Sequence, residues 1–213
     1  MIAERLRAPG DLLLVGSVRG LELESPPVLR ALEGFAPDAV GVGLSEEELR
    51  GLREYFVTSE AEPVVPLTTN ESGEVRGLVR FGVVRVPNPT FVDLLGWAAA
   101  RELPVAPLDP SEDRSADLFA EHIGYVELVR RTVRERAVGR NPPAPSSADE
   151  FALAWDRQVA GGRGSRAFAR SRDDHLVRAA RELGAGRTRI AVVVDRERFP
   201  SVRALLLGGP GAG

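Results

Sequence analysis

The sequence predicts an α/β protein with a mainly parallel central sheet, helices on both faces and a helical layer in its second half. Three observations carry that expectation. Short apolar runs recur, closed by Gly or an acidic residue, which is how strands buried on both faces read. Amphipathic segments with helix start signals separate them, so the order is β-α-β-α and the strands should run parallel. The 213 residues are 43% hydrophobic and 28% charged, enough for an ordinary core and inconsistent with wholesale disorder.

The first strong strand signal spans residues 11–16, an apolar run that should be central. A helix comes next, with Ser25 as the expected N-cap, Pro26 at its first position and Val28, Leu29 and Leu32 as the apolar stripe. It should end near Gly34. Residues 39–44 read as a second buried strand, and Ser45 with Glu48 opens a capping-box helix running to about Phe56. From 63 to 89 the pattern changes. Residues 64–69 and 78–86 suggest strand segments or a hairpin insert around turn residues 70–73. Residues 91–103 form an apolar helix, and 104–109 a short strand ending in Asp109.

One long helix is expected over 111–138, with Leu118, Phe119, Ile123, Val126 and Val133 inward and a basic end at 130–136 that suits a helix C-terminus. The Pro- and Ser-containing segment 141–147 punctuates this layer before a helix over 148–159. Glycines at 161, 162 and 164 break it again ahead of a helix over 166–183, with Phe168, Leu176 and Val177 inward. Residues 189–195 are the clearest buried strand, and 199–207 a closing helix. The chain reads as one domain over 1–207, with a flexible Gly-rich tail over 208–213.

Composition removes several chemistries. With no Cys there is no disulfide, thiol nucleophile or Cys-ligated metal. All 28 basic residues are Arg, so Schiff-base and Walker-lysine chemistry are absent too. A net charge of −3 gives no generic nucleic-acid footprint, and the basic run at 130–136, interrupted by Glu135, reads as a solvated helix face. No apolar run reaches the roughly 18 residues of a membrane span, and no signal peptide is apparent. A cytoplasmic location is expected. Gly41 and Gly43 lie within a strand and lack the third glycine of a dinucleotide loop. His122 and His175 have no i, i+4 partner and read as surface or helix-packing residues.

Three segments, in order, resemble the TraB/PrgY family, which belongs with the Tiki, erythromycin-esterase-like and ChaN-like proteins. The first runs from Leu14 through Gly16, Ser17 and Arg19 to Glu24 and Ser25, then Pro37 and Asp38 and the strand to Leu44. It is similar to the family's strand, Gly-x-x-His turn, helix and strand carrying a Glu. The second is the helix over 91–103 with the strand ending at Asp109, where the family has an Asp-Arg. The third comprises Arg172 and Asp173, then the strand to Asp195, followed by Arg198, Pro200 and Val202. It looks like the family's Arg-Asp helix and its closing strand with a second Gly-x-x-His turn.

For the metal-dependent members the resemblance implies a divalent metal and activated water. Here both family histidines fall on arginines, Arg19 and Arg198, the strand Glu falls on Gly43, and Asp195 replaces the leading Gly of the second turn. Guanidinium has no lone pair for a metal and cannot serve as a base near neutral pH. The expected function is therefore a TraB-like protein that has lost family-type hydrolysis and acts by binding a ligand, an anion being one candidate, or a protein partner. No cofactor or metal is expected. The alternative is a divergent metal-dependent hydrolase or protease using Asp109, Asp173 and Asp195. The expected ligand-binding set is Gly16, Ser17, Arg19 and Asp109, together with Arg172, Asp173, Asp195 and Arg198. In a parallel sheet, turns after the first and last strands share one edge, so Arg19 and Arg198 should converge there as anion-binding forks. Alternatively, they pair with Glu22, Asp109, Asp173 or Asp195 as structural links.

Overall fold

The computed structural model describes residues 1–8, 10–58 and 69–208. Its sheet has five strands, β1 (Ile2–Ala8), β2 (Gly10–Ser17), β3 (Ala39–Val42), β4 (Val105–Pro107) and β5 (Arg189–Asp195), in the order β1-β2-β5-β3-β4. Every pairing is parallel except β1 with β2. The mainly parallel α/β architecture is as the sequence predicts. β2 is internal, but β5, the most apolar strand, takes the centre. The N-terminal strand β1 was not expected, because its Glu and Arg residues mask any apolar run and only edge pairing with β2 defines it.

Alternation along the strands builds two cores. On one face Leu12, Leu14, Val192 and Val194 meet the helices α8 (Arg163–Gly184) and α9 (Phe199–Leu206). On the other, Leu13, Val15, Ala191 and Val193 meet α1 (Ser25–Phe35) and α4 (Pro89–Ala99). A third cluster, with Leu78, Val138, Phe151 and Trp155, joins α3 (Thr69–Leu78), α6 (Tyr125–Arg140) and α7 (Ala148–Val159). Gly41 answers to packing: a Cβ there would lie 2.4 Å from the Leu108 side chain, which covers the strand.

Several helix starts obey the expected chemistry. α2 (Glu46–Thr58) begins at a reciprocal capping box, with Glu48 N–H donating to Ser45 Oγ at 3.1 Å and Ser45 N–H to Glu48 Oε2 at 2.8 Å. Ser147 caps α7, and Ser111 caps α5 (Glu112–His122). Ser25 is no cap: it lies inside α1 and donates its hydroxyl to Asp93 of α4 at 2.5 Å.

Other expectations are corrected. Residues 78–86 do not form a strand. Leu78 ends α3, and the loop after it runs beside the turn after β2, joined to it by an isolated antiparallel bridge, Leu21 to Val84, and by the Arg85–Glu22 ion pair. Residues 64–68 lie outside the described residues, as do 209–213 of the expected tail. The long helix over 111–138 is two, broken at Ile123 and Gly124, where Ile123 turns extended and Gly124 caps α6. The break changes the direction in which α6 presents its faces, so Val126 and Val133 are exposed at 60% and 61% instead of buried.

Candidate functional site at the carboxyl edge of the sheet

β2 and β5 are parallel neighbours in a register that sets Ser17 against Asp195, so the turns after them emerge side by side. Arg196 N–H closes the edge onto the Ser17 carbonyl at 2.8 Å. The turn carrying Arg19 is held from below by Glu24, a buried carboxylate that accepts from Val18 N–H at 3.1 Å. Asp109 lies just after β4 and is fixed by its own N–H on the Leu44 carbonyl, and α8 brings Arg172 and Asp173 over the same edge. Six of the eight expected residues therefore gather here. The other two lie behind the edge: Gly16 is buried with Phe199 where its Cβ would be, and Ser17 is fully buried with an unpartnered hydroxyl.

The guanidiniums face carboxylates. Arg198 makes a fork onto Asp109, with Nη2 to Oδ1 and Nη1 to Oδ2 both at 3.0 Å, and its Nε donates to Asp173 at 2.8 Å. Arg172 also pairs with Asp109. This group is closed: Asp109, Asp173 and Arg198 side chains are 1%, 6% and 13% exposed. Burial, the largest influence, pushes the Asp173 carboxyl above its ordinary range, although Arg198 and Ser201 pull it down. Arg19 pairs with Asp195 through Nη2 at 2.5 Å and Nε at 3.2 Å. Its side chain stays 52% exposed while Asp195 is 2% exposed. Asp195 holds Arg19 still more firmly protonated than usual.

Arg19 stands where three cavities meet. One, of about 510 Å³, is polar, runs between α8 and the turn after β5, and is lined by six guanidiniums against four acids. A smaller one of about 170 Å³ lies toward Trp155 and Asp156. The third, of about 500 Å³, is mostly apolar and lies toward α2, α3 and α4. Glu197 lines both polar cavities. Burial first, and then the neighbouring Asp195 charge, push its carboxyl up to about 8. Asp156 is likewise raised by burial and by Asp173. Neither acid stood out in the sequence, though Glu197 lies between Asp195 and Arg198 and could have been found by reading that turn whole.

The remaining motifs resolve simply. Gly161 and Gly162 form the turn into α8, Gly164 lies in its first turn, and the helix N-terminus is taken by Glu127 of α6, which accepts from Gly164 and Ser165 N–H at 2.9 and 2.8 Å. Those amides hold the Glu127 carboxyl below its ordinary range. His122 and His175 line one cleft between α5 and α8, where His122 Nε2 meets Ser171 Oγ at 2.9 Å. In the basic run, Arg131 pairs with Glu135 and lies over the Phe119 ring.

The edge does not fit the divalent metal that the resemblance implies. Asp109, Asp173 and Asp195 each accept from guanidinium, two arginines replace the expected histidines, and Gly43 supplies no carboxylate. Arg198 Nη1 lies 3.6 Å from the point where a side chain at Gly43 would start. Among the described residues no three His, Asp or Glu side chains gather as a ligand set, and no helix is long and apolar enough to cross a membrane. The fold and site thus define an α/β protein with ligand-sized cavities at the carboxyl edge of its sheet, the usual ligand position in such sheets. No protein-family model matches the chain, and no curated protein matches it.

Proposed function

We propose that this is a divergent TraB-like cytoplasmic protein that has given up hydrolysis and binds a small anionic ligand at Arg19. One observation carries the reading. Arg19 commits only Nε and Nη2 to Asp195 and leaves the N–H groups of Nη1 without a partner among the described residues, half exposed at the junction of three cavities. Arg198 plays the opposite part, because all three of its nitrogens are taken by Asp109 and Asp173. Asp195 meets Arg19 through Oδ2 alone, and its Oδ1 is buried without a hydrogen-bond partner.

The test is thermal shift with acetate, sulfate, phosphate and a sugar phosphate. Stabilisation by at least one anion that disappears in Arg19→Ala supports the reading. No response, or an unchanged response in that variant, overturns it. So does stoichiometric uptake of manganese, cobalt or zinc that is lost in Asp109→Ala with Asp173→Ala, which would restore the hydrolase reading.

A further inference from the structure

We infer that the ligand is an amphipathic monoanion: an apolar chain or ring seated in the chamber toward α2, α3 and α4, with a carboxylate head on Arg19. The inference rests on Arg19 being the anion-binding cation and adds the class of ligand. The chamber is about 500 Å³, within the usual range for small-molecule sites of roughly 300–1,000 Å³. Leu44, Leu52, Leu78, Val84 and Phe91 form its wall. The loop that carries Val84 is tied to the Arg19 turn, with Arg85 N–H on the Gly20 carbonyl at 2.8 Å and Glu22 N–H on the Val83 carbonyl at 3.0 Å. Wall and cation are therefore held together as one site.

The polar side chains of this wall are Arg19, Glu48, Glu74, Arg85 and Asn88, and Arg85 pairs with Glu22 at 3.0 Å. Glu48 is committed to the capping box of α2. Asn88 uses Oδ1 to cap α4 through Thr90 N–H at 3.2 Å, which fixes the amide orientation and leaves Nδ2 buried without an acceptor. A buried donor without a partner is costly, but Asn88 is held by its cap and is not a contact of the ligand head. Glu74 lies on the same rim and acts electrostatically on Arg19, so a single negative charge suits the site better than a doubly charged phosphate.

The experiment titrates the full chain calorimetrically with acetate, octanoate and octanol. Each buried methylene is worth roughly a factor of four, so octanoate should bind at least about a hundredfold tighter than acetate. Octanol and an Arg19→Gln variant should each lose about tenfold or more of octanoate's affinity. Gly51→Phe is the blocking variant: Gly51 lines the chamber, no atom lies within 4 Å of its Cβ position, and replacing a helical glycine favours the fold. It should erase octanoate's advantage while acetate still responds through Arg19. Octanoate binding no tighter than acetate, or keeping its advantage in Gly51→Phe, overturns the chamber while leaving the anion reading intact. Octanol binding as tightly as octanoate, or octanoate unaffected by Arg19→Gln, overturns the carboxylate head. Failure of every anion overturns both readings.

Discussion

Arg19 and Arg198 occupy matching places, one in the turn after β2 and one in the turn after β5, yet the two turns have opposite characters. Arg198 is 13% exposed and bridges carboxylates delivered by β4 and α8, so it joins three elements of the fold. Arg19 is 52% exposed, pairs with one carboxylate, and lines three cavities. The residue type is the same. Its role is set by how many acids the topology delivers: β3 and β4 bring Asp109 to the Arg198 side, whereas β1 is antiparallel and brings no such acid to the Arg19 side. Similar turns in one sheet can thus be divided between holding the fold and meeting a ligand.

The largest expected effect tests the holding side. Arg198→Ala leaves Asp109 and Asp173 buried, with Asp109 keeping only Arg172. Breaking a buried pair from one side typically costs about 3–5 kcal/mol, and urea denaturation should show a loss of that order. Adding Asp173→Asn should recover part of it. A loss no greater than that of Arg19→Ala would remove the distinction between the turns.

The next effect concerns the acid between them. Burial and the Asp195 charge push the Glu197 carboxyl up to about 8 in the folded protein, from an ordinary value of 4.5. Between those values the folded state keeps a proton that the unfolded chain has lost, so this group lowers stability as pH rises through the window. Glu197→Gln removes that penalty. Unfolding free energies from urea denaturation should match the parent at pH 4 and exceed it at pH 9 by of order 2 kcal/mol, well below the full linkage value because the side chain is only partly buried. A parallel shift at both pH values would assign the gain to packing instead of ionisation.

Arg19→Ala should be milder in stability and decisive in binding. Water replaces the exposed guanidinium beside Asp195, so about 1–2 kcal/mol is lost, while the thermal response to anions disappears. Together with Arg198→Ala it separates the two roles: one variant loses mainly fold, the other mainly ligand.

Much of this edge was legible before the structure. β2, β3 and β5 are apolar runs without competing readings, and the parallel rule puts their carboxyl ends together, so Arg19, Asp109, Asp195 and Arg198 could be placed on one edge. The partnering could not be read, because whether a guanidinium meets one carboxylate or two depends on where α8 sets Asp173, a tertiary placement. β1 was hidden because an edge strand needs no apolar run. Residues 78–86 have the β-branched content of a strand, but the chain they run beside is the turn at Leu21, which offers one isolated bridge and no strand to pair with. The character of Glu197 comes from burial beside Asp195 and not from its residue type, so its place between Asp195 and Arg198 is the one signal the sequence carries for it.

The smallest expected effect is at Gly43, where the resemblance places an acid. A Cβ built there would lie 3.3 Å from Val194 Cγ1 and 3.6 Å from Arg198 Nη1. The first contact asks a neighbour to give a few tenths of an ångström, and the second is ordinary. Its backbone amide, bonded to the Val193 carbonyl at 2.9 Å, is untouched by the change. Gly43→Ala should therefore shift stability by no more than about 0.5 kcal/mol either way, since the added contact and the reduced freedom of the unfolded chain offset the crowding. A much larger loss would mean that the Arg198 bridge tolerates no displacement and that its geometry sets the spacing of the whole edge. A neutral result would confine the rigidity to the carboxylates themselves, and the glycine would then be the space that the Arg198 side chain fills.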